Sequence, residues 1–177
     1  MQGEQAHVAF PHANLLAFGC PLAGNGVMIS GYNRHIEISH SDFAYLGGNA
    51  IASWAYTNET STDPGRPGIV LANAPSAGVD GTDGEHPRHT TVTGCVAREI
   101  GLYEKQSSFY VQAKTAEARV VGNVFFNGPR AGINFNDGFG GGDEIARNLV
   151  FSTCRESGDH GEKFVNLQGM KMLDCRC

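Results

Sequence analysis

Apolar and polar residues alternate along this chain in short runs. Ile36 and Ile38 alternate with Glu37 and Ser39, Phe109 and Val111 with Tyr110 and Gln112, and Ile133 and Phe135 with Asn134 and Asn136. A two-residue period puts apolar side chains on one face of an extended strand and polar ones on the other. Gly and Asn, residues that turns favour, punctuate the runs. No stretch offers an amphipathic helix with caps: Glu99 to Lys105 is too short, and Gly101 interrupts it. The pattern predicts an all-β chain of short strands.

The runs also recur. Val120-Val121-Gly122-Asn123-Val124-Phe125-Phe126-Asn127 returns 25 residues later as Ile145-Ala146-Arg147-Asn148-Leu149-Val150-Phe151-Ser152. His35 to Gly47 aligns without a gap to His89 to Gly101, and that segment aligns in turn to 118–128. An earlier copy follows Phe18, where Gly24-Asn25-Gly26-Val27-Met28-Ile29 matches Gly48-Asn49-Ala50-Ile51-Ala52-Ser53. The spacing predicts about five coils, near 13–32, 35–56, 89–114, 118–138 and 143–161. A period in the twenties marks a solenoid, whose repeats bury their cores only by stacking on one another. Short strands at that period predict a right-handed parallel β-helix with coils stacked ~4.8 Å apart. Asn123 and Asn148 then lie above one another at a corner, with Cys95 and Ser41 in line, as a hydrogen-bonded structural ladder.

Composition narrows the picture. At 177 residues the chain suits one domain, here 1–161, and its 24 glycines suit a turn-rich β protein. Two segments break the period: an insertion at 57–88, rich in Gly and containing Pro64, Pro67, Pro75 and Pro87, and a non-repeating tail at 162–177. A long insertion in a solenoid often marks the binding face. Net charge is −5 and the basic residues are scattered, which argues against a nucleic-acid partner. The apolar runs fall far short of a membrane span. The N-terminus has no signal-peptide pattern. The sequon Asn58-Glu59-Thr60 and the polysaccharide reading below place the chain outside the cell, as part of a longer precursor. The five cysteines are an odd number with no Cys-x-x-Cys pair, and Cys175 with Cys177 is a terminal coincidence rather than a metal site.

Asn123-Val124-Phe125-Phe126-Asn127, Gly128-Pro129-Arg130-Ala131-Gly132-Ile133-Asn134-Phe135 and Asn148-Leu149-Val150-Phe151 resemble the pectin-lyase-like right-handed β-helix superfamily. The likeness covers roughly residues 13–161 and is greatest to carbohydrate-active members: polysaccharide lyases, mannuronan epimerases and β-helix glycosidases. Arg155 to Gly161 resembles the segment that leads into the active-site coils of large members. The epimerase-type Asp-Pro-His is missing; Gly158-Asp159-His160 is its nearest analogue and lacks the proline. The resemblance implies a polysaccharide or glycan as partner, with the chain acting on it or binding it.

Carrying the 25-residue offset forward puts Asn134 above Asp159 and Phe135 above His160. With Ile133 and Phe135 inward, Asn134, Asn136 and Asp159 project from one outer face, near Asp137 and Asp143. Such a cluster suits a sugar chain: amides bind hydroxyls, and Arg130 or Arg155 pairs with a uronate carboxylate. Lyases and epimerases need a base beside that carboxylate and a cation against it, whereas glycosidases need two carboxyl groups. The candidates are Asp159, His160 and Glu156 for catalysis, and Asn134, Asn136, Arg130, Arg155, Asp137 and Trp54 for substrate. Each also has a plainer role. Asp137-Gly138 is a turn dipeptide, the arginines are surface charges, and Trp54 suits a groove edge. Asp80, Asp83 and Glu85 offer the hard oxygens calcium takes, but as a solvated acidic loop they need no metal, and no metal or cofactor is expected. The competing reading is a non-catalytic structural or adhesion module. The open strand edges at both ends of a β-helix favour self-association.

Overall fold

A computed structural model describes residues 9–11, 14–16, 23–54, 86–136, 141–157, 163–164 and 171–173. These residues form strands and turns and contain no helix. The strands are β1 (Ala9–Pro11), β2 (Asn14–Leu16), β3 (Val27–Ser30), β4 (Glu37–Ser39), β5 (Asp42–Ala44), β6 (Ile51–Trp54), β7 (Thr91–Thr93) and β8 (Val96–Arg98). They continue with β9 (Tyr110–Ala113), β10 (Arg119–Val121), β11 (Val124–Phe126), β12 (Ile133–Asn136), β13 (Glu144–Ala146), β14 (Leu149–Phe151), β15 (Lys163–Phe164) and β16 (Lys171–Leu173).

Every third strand is a neighbour. The first sheet runs β1-β4-β7-β10-β13-β16, the second β14-β11-β8-β5-β2 and the third β15-β12-β9-β6-β3. All pairings are parallel. Each pass of the chain thus gives one strand to each sheet, an all-β arrangement consistent with a parallel β-helix. The core lies between the sheets, with Ile38, Val92, Val120 and Ile145 from the first, Phe43, Ala97, Phe125 and Val150 from the second, and Ile51, Tyr110, Ile133 and Phe135 from the third. Phe109 and Phe125 stack inside it with ring centroids 5.4 Å apart.

The Asn ladder exists. Asn148 Oδ1 accepts from Asn123 main-chain N and Nδ2, both at 2.9 Å. Asn123 Oδ1 accepts from Cys95 N at 2.9 Å, and Asn123 Nδ2 donates to Val92 O at 3.0 Å. Cys95 replaces the amide with a thiol that donates to Ile38 O and Thr93 O, and Ser41 donates to Ser39 O. Burial pushes the Cys95 thiol pKa up, which keeps it a neutral donor. A second ladder precedes the third sheet: Asn25 Oδ1 takes the Asn49 N–H at 3.0 Å, and Asn49 Oδ1 takes the Ser108 N–H at 2.6 Å.

The corners turn through columns of left-handed residues. His40, Gly94, Gly122 and Arg147 follow successive first-sheet strands with φ of 48°, 63°, 70° and 54°, and Tyr45, Glu99, Asn127 and Ser152 follow the second-sheet strands likewise. Only some of these positions are glycine, so the left-handed corners were not legible as a motif. The fold overrides a conformational cost of about 1–2 kcal/mol at each of the others.

Three expectations are revised. The 25-residue offset holds in the first two sheets, where Val120 pairs with Ile145 and Val124 with Leu149. It fails in the third, where Ile133 pairs with Lys163 and Asn134 with Phe164. Six residues, 127–132, join β11 to β12, but eleven, 152–162, join β14 to β15. The longer corner shifts the register by five, so Asn134 pairs with Phe164 and not with the residue 25 positions on. Secondly, residues 163–164 and 171–173 of the tail read as non-repeating add strands to the third and first sheets. Thirdly, Arg88, assigned to the insertion, already bridges Arg34 and Ala116 in register.

Candidate functional site

The named residues that the structure describes do not gather in one open groove. Asn134 lies on the opposite side of β12 from Ile133 and Phe135, yet it is 0% exposed and neither side-chain atom has a hydrogen-bond partner. The face it shares with Val111 and Ala52 is closed there, so Asn134 is not presented to solvent. Asn136 ends β12 opposite Ala113, and Trp54 ends β6 opposite the same residue, half-buried. Arg130 is buried and donates to Gln106 O at 3.3 Å, so it is a corner strut rather than a surface cation. Arg155 is exposed and lies 3.7 Å from Glu99 Oε2. Glu156 is exposed and pairs with Lys105 at 2.9 Å. Asp137, Asp159, His160, Asp80, Asp83 and Glu85 lie outside the described residues. Among the described residues, no three His, Cys, Asp or Glu come together as a metal site.

Asp143 is not a surface acid either. It is 5% exposed and caps the corner before β10, taking the Ala118 N–H at 2.8 Å and Gln112 Nε2 at 3.1 Å. Tyr110 Oη donates to Gln112 Oε1 at 2.9 Å, which extends the network into the core. The polar members of the Phe109–Gln112 alternation, Tyr110 and Gln112, therefore share the inward face with Ile133 and Phe135. Burial raises the Asp143 carboxyl to about 6, against the pull of its two hydrogen bonds. Nearby, the Arg88 hydrogen bond holds Glu117 below the usual carboxylate range.

A different surface has the geometry of a site. The second sheet turns Phe43, Ala97, Phe125 and Val150 inward, so the residues on either side of each point outward. One outward column is Asp42, Val96, Val124 and Leu149; the other is Ala44, Arg98, Phe126 and Phe151. The Phe126 and Phe151 rings stack at 5.1 Å with 2° between their planes. Leu149 is 43% exposed and Phe151 39%. Arg98 continues the column, with its guanidinium carbon 5.4 Å from the centre of the Tyr45 ring and Nη1 donating to Tyr45 Oη at 3.4 Å. The adjoining corner is polar: Asn127 Nδ2 donates to Glu99 Oε1 at 2.6 Å, and Arg155 approaches the other oxygen of Glu99. An apolar strip one strand-spacing per rung thus runs beside a rim of amide, carboxylate, phenol and guanidinium.

A signal for this strip was present in the sequence. Val124-Phe125-Phe126 and Leu149-Val150-Phe151 are wholly apolar, and a three-residue strand facing a core turns only its middle side chain inward. No family model matches the chain, and no curated protein or solved structure matches it significantly. The site's chemistry therefore carries the functional reading.

Proposed function

We propose that this chain is a carbohydrate-associated domain of the pectin-lyase-like, right-handed β-helix kind, about five coils long, that binds a polysaccharide along the outer face of its second sheet. The observation that supports this is the strip of exposed Leu149 and Phe151 and half-buried Val124 and Phe126 beside the rim of Tyr45, Arg98, Glu99, Asn127 and Arg155. Contiguous exposed apolar side chains rimmed by polar ones are typical of interaction sites. Sugars match both halves: the C–H faces of the rings pack on apolar side chains, and the hydroxyls pair with planar polar groups. A linear polymer also repeats, as the rungs do. Binding is favoured over turnover because Glu156, the one catalytic candidate among the described residues, is tied to Lys105 at 2.9 Å.

The test is affinity electrophoresis of the whole chain in gels containing alginate, pectin, chondroitin or xylan. Retardation by at least one of them is expected, with the Phe126→Ala/Phe151→Ala pair weakening it at least tenfold. Absorbance of unsaturated products, followed in parallel, reports any lyase activity, and an Asp159→Asn control assigns it. Unretarded wild-type protein in all four gels, or unchanged retardation of the double variant, overturns the reading in favour of a structural or adhesion module.

A further inference from the structure

The rim beside the second-sheet strip has a definite hydrogen-bonding pattern. Asn127 follows β11 in the left-handed conformation, with φ 57°, and its Nδ2 donates to Glu99 Oε1 at 2.6 Å. A carboxylate only accepts, so the NH2 end of the amide must face Glu99, and Oδ1 is turned the other way. Glu99 Oε2 lies 3.7 Å from Arg155 Nη1, and the guanidinium of Arg155 has further N–H groups to donate. Acceptors from Asn127 and Glu99 thus stand beside donors from Arg155. A ligand group that meets both kinds must itself donate and accept. A hydroxyl does so. A carboxylate or sulfate only accepts, and would set its oxygens against those of Asn127 and Glu99.

The charges around the strip point the same way. Among the described residues, Arg155 approaches Glu99, and Lys105 pairs with Glu156 at 2.9 Å. Arg98 on the strip and Arg147 on its other corner are matched in number by Asp42 on the strip and Glu104 beyond the rim. Arg98 also gives Nη1 to Tyr45 Oη, and Arg130 is enclosed in its corner. These residues offer a polyanion no surplus of positive charge, and the whole chain carries −5. A polymer with a negative charge on each unit would bring like charges against Asp42 and Glu99, which opposes binding. We propose that the ligand of the strip is a neutral polysaccharide, with hydroxyls on every unit and neither carboxylate nor sulfate. This rests on the reading of the strip as a glycan site. The hydroxyls pair with the Asn127 and Glu99 oxygens and the Arg155 donors, while the C–H faces of the sugars pack on Val124 and Leu149.

Matched polymers separate charge from backbone. The whole chain is run in affinity gels containing polygalacturonate or alginate, each beside the same polymer with its carboxyl groups reduced to hydroxymethyl, and in unsubstituted xylan. Retardation by at least one neutral polymer is expected, about tenfold stronger than by the charged ones. Raising the salt should leave it unchanged, since screening acts on charges. Glu99→Gln removes a negative charge but keeps an acceptor for Asn127 Nδ2, and should raise the ratio of charged to neutral affinity about threefold. Asp42→Asn, on the strip itself, should move the ratio the same way, with circular dichroism confirming that both variants are folded. Equal or stronger binding of a charged polymer, loss of the neutral retardation in salt, or a ratio unmoved in both variants overturns the neutral assignment and leaves the glycan site standing. No retardation by any polymer, or retardation that the Phe126→Ala/Phe151→Ala pair does not weaken, overturns the glycan reading and this inference with it.

Discussion

Replacing Asn123 with Ala tests whether the corner ladder holds the stack together. Asn123 is 1% exposed and makes three side-chain bonds: from Cys95 N at 2.9 Å, to Val92 O at 3.0 Å and to Asn148 Oδ1 at 2.9 Å. Alanine removes all three. The bonds to Val92 and Asn148 are ordinary neutral ones, about 1 kcal/mol each. The Cys95 N–H is different, because it is left buried without an acceptor, which costs about 1–3 kcal/mol. The sum is about 3–5 kcal/mol, a large share of the roughly 5–15 kcal/mol that holds a typical domain. Urea unfolding followed by far-ultraviolet circular dichroism measures it, and the midpoint should fall with the slope unchanged. Asn123→Asp separates the contributions: it keeps the acceptor for Cys95 N but cannot donate, and it sets a carboxylate against Asn148 Oδ1. It should lose at least as much. A loss below about 1 kcal/mol for alanine would mean that water or a shifted backbone replaces the side chain, and that the ladder adds little to the stack.

Further outcomes follow from other parts of the fold. Asp143 has a folded pKa of about 6 against an ordinary value of 3.8, so the folded state binds its proton more tightly than the unfolded state does. Its contribution is full below pH 3.8 and is lost as pH rises through 6. The difference in unfolding free energy between wild type and Asp143→Asn should therefore change by roughly 3 kcal/mol across that window, and a flat difference would sink the assignment. Phe125→Ala opens the core opposite Phe109 and should cost about 3–5 kcal/mol in urea unfolding, whereas Phe151→Ala, on the outer face, should cost under about 1 kcal/mol. Gly122→Ala should lower stability by about 1 kcal/mol from its φ of 70° alone, since no atom lies within 4 Å of the added methyl. Arg147→Gly, at the same corner with φ 54°, should be neutral or stabilising, and clear destabilisation there would contradict the left-handed column.

Strand periodicity, the parallel stacking and the ladder were legible in the chain because they are properties of neighbours. Alternation by two follows from strand geometry, and Asn123 over Asn148 follows from a fixed offset between coils of equal length. The offset does not carry to Asn134, because the corner after β14 has five more residues than the corner after β11 and one offset no longer serves the third sheet. What lies open and what is enclosed was decided by tertiary structure alone. Asn134 and Phe151 each lie opposite inward-facing neighbours on short strands; one is 0% exposed and the other 39%. Alternation says which way a side chain leaves its strand, but it says nothing of what packs over it. Asp143 makes the same point, since its carboxylate faces Gln112, some 31 residues away in sequence. The chain's own pattern thus determined how the strands stack. The fold decided that the second sheet, rather than the Asn134 face, carries the exposed strip, because burial depends on contacts between residues distant in sequence.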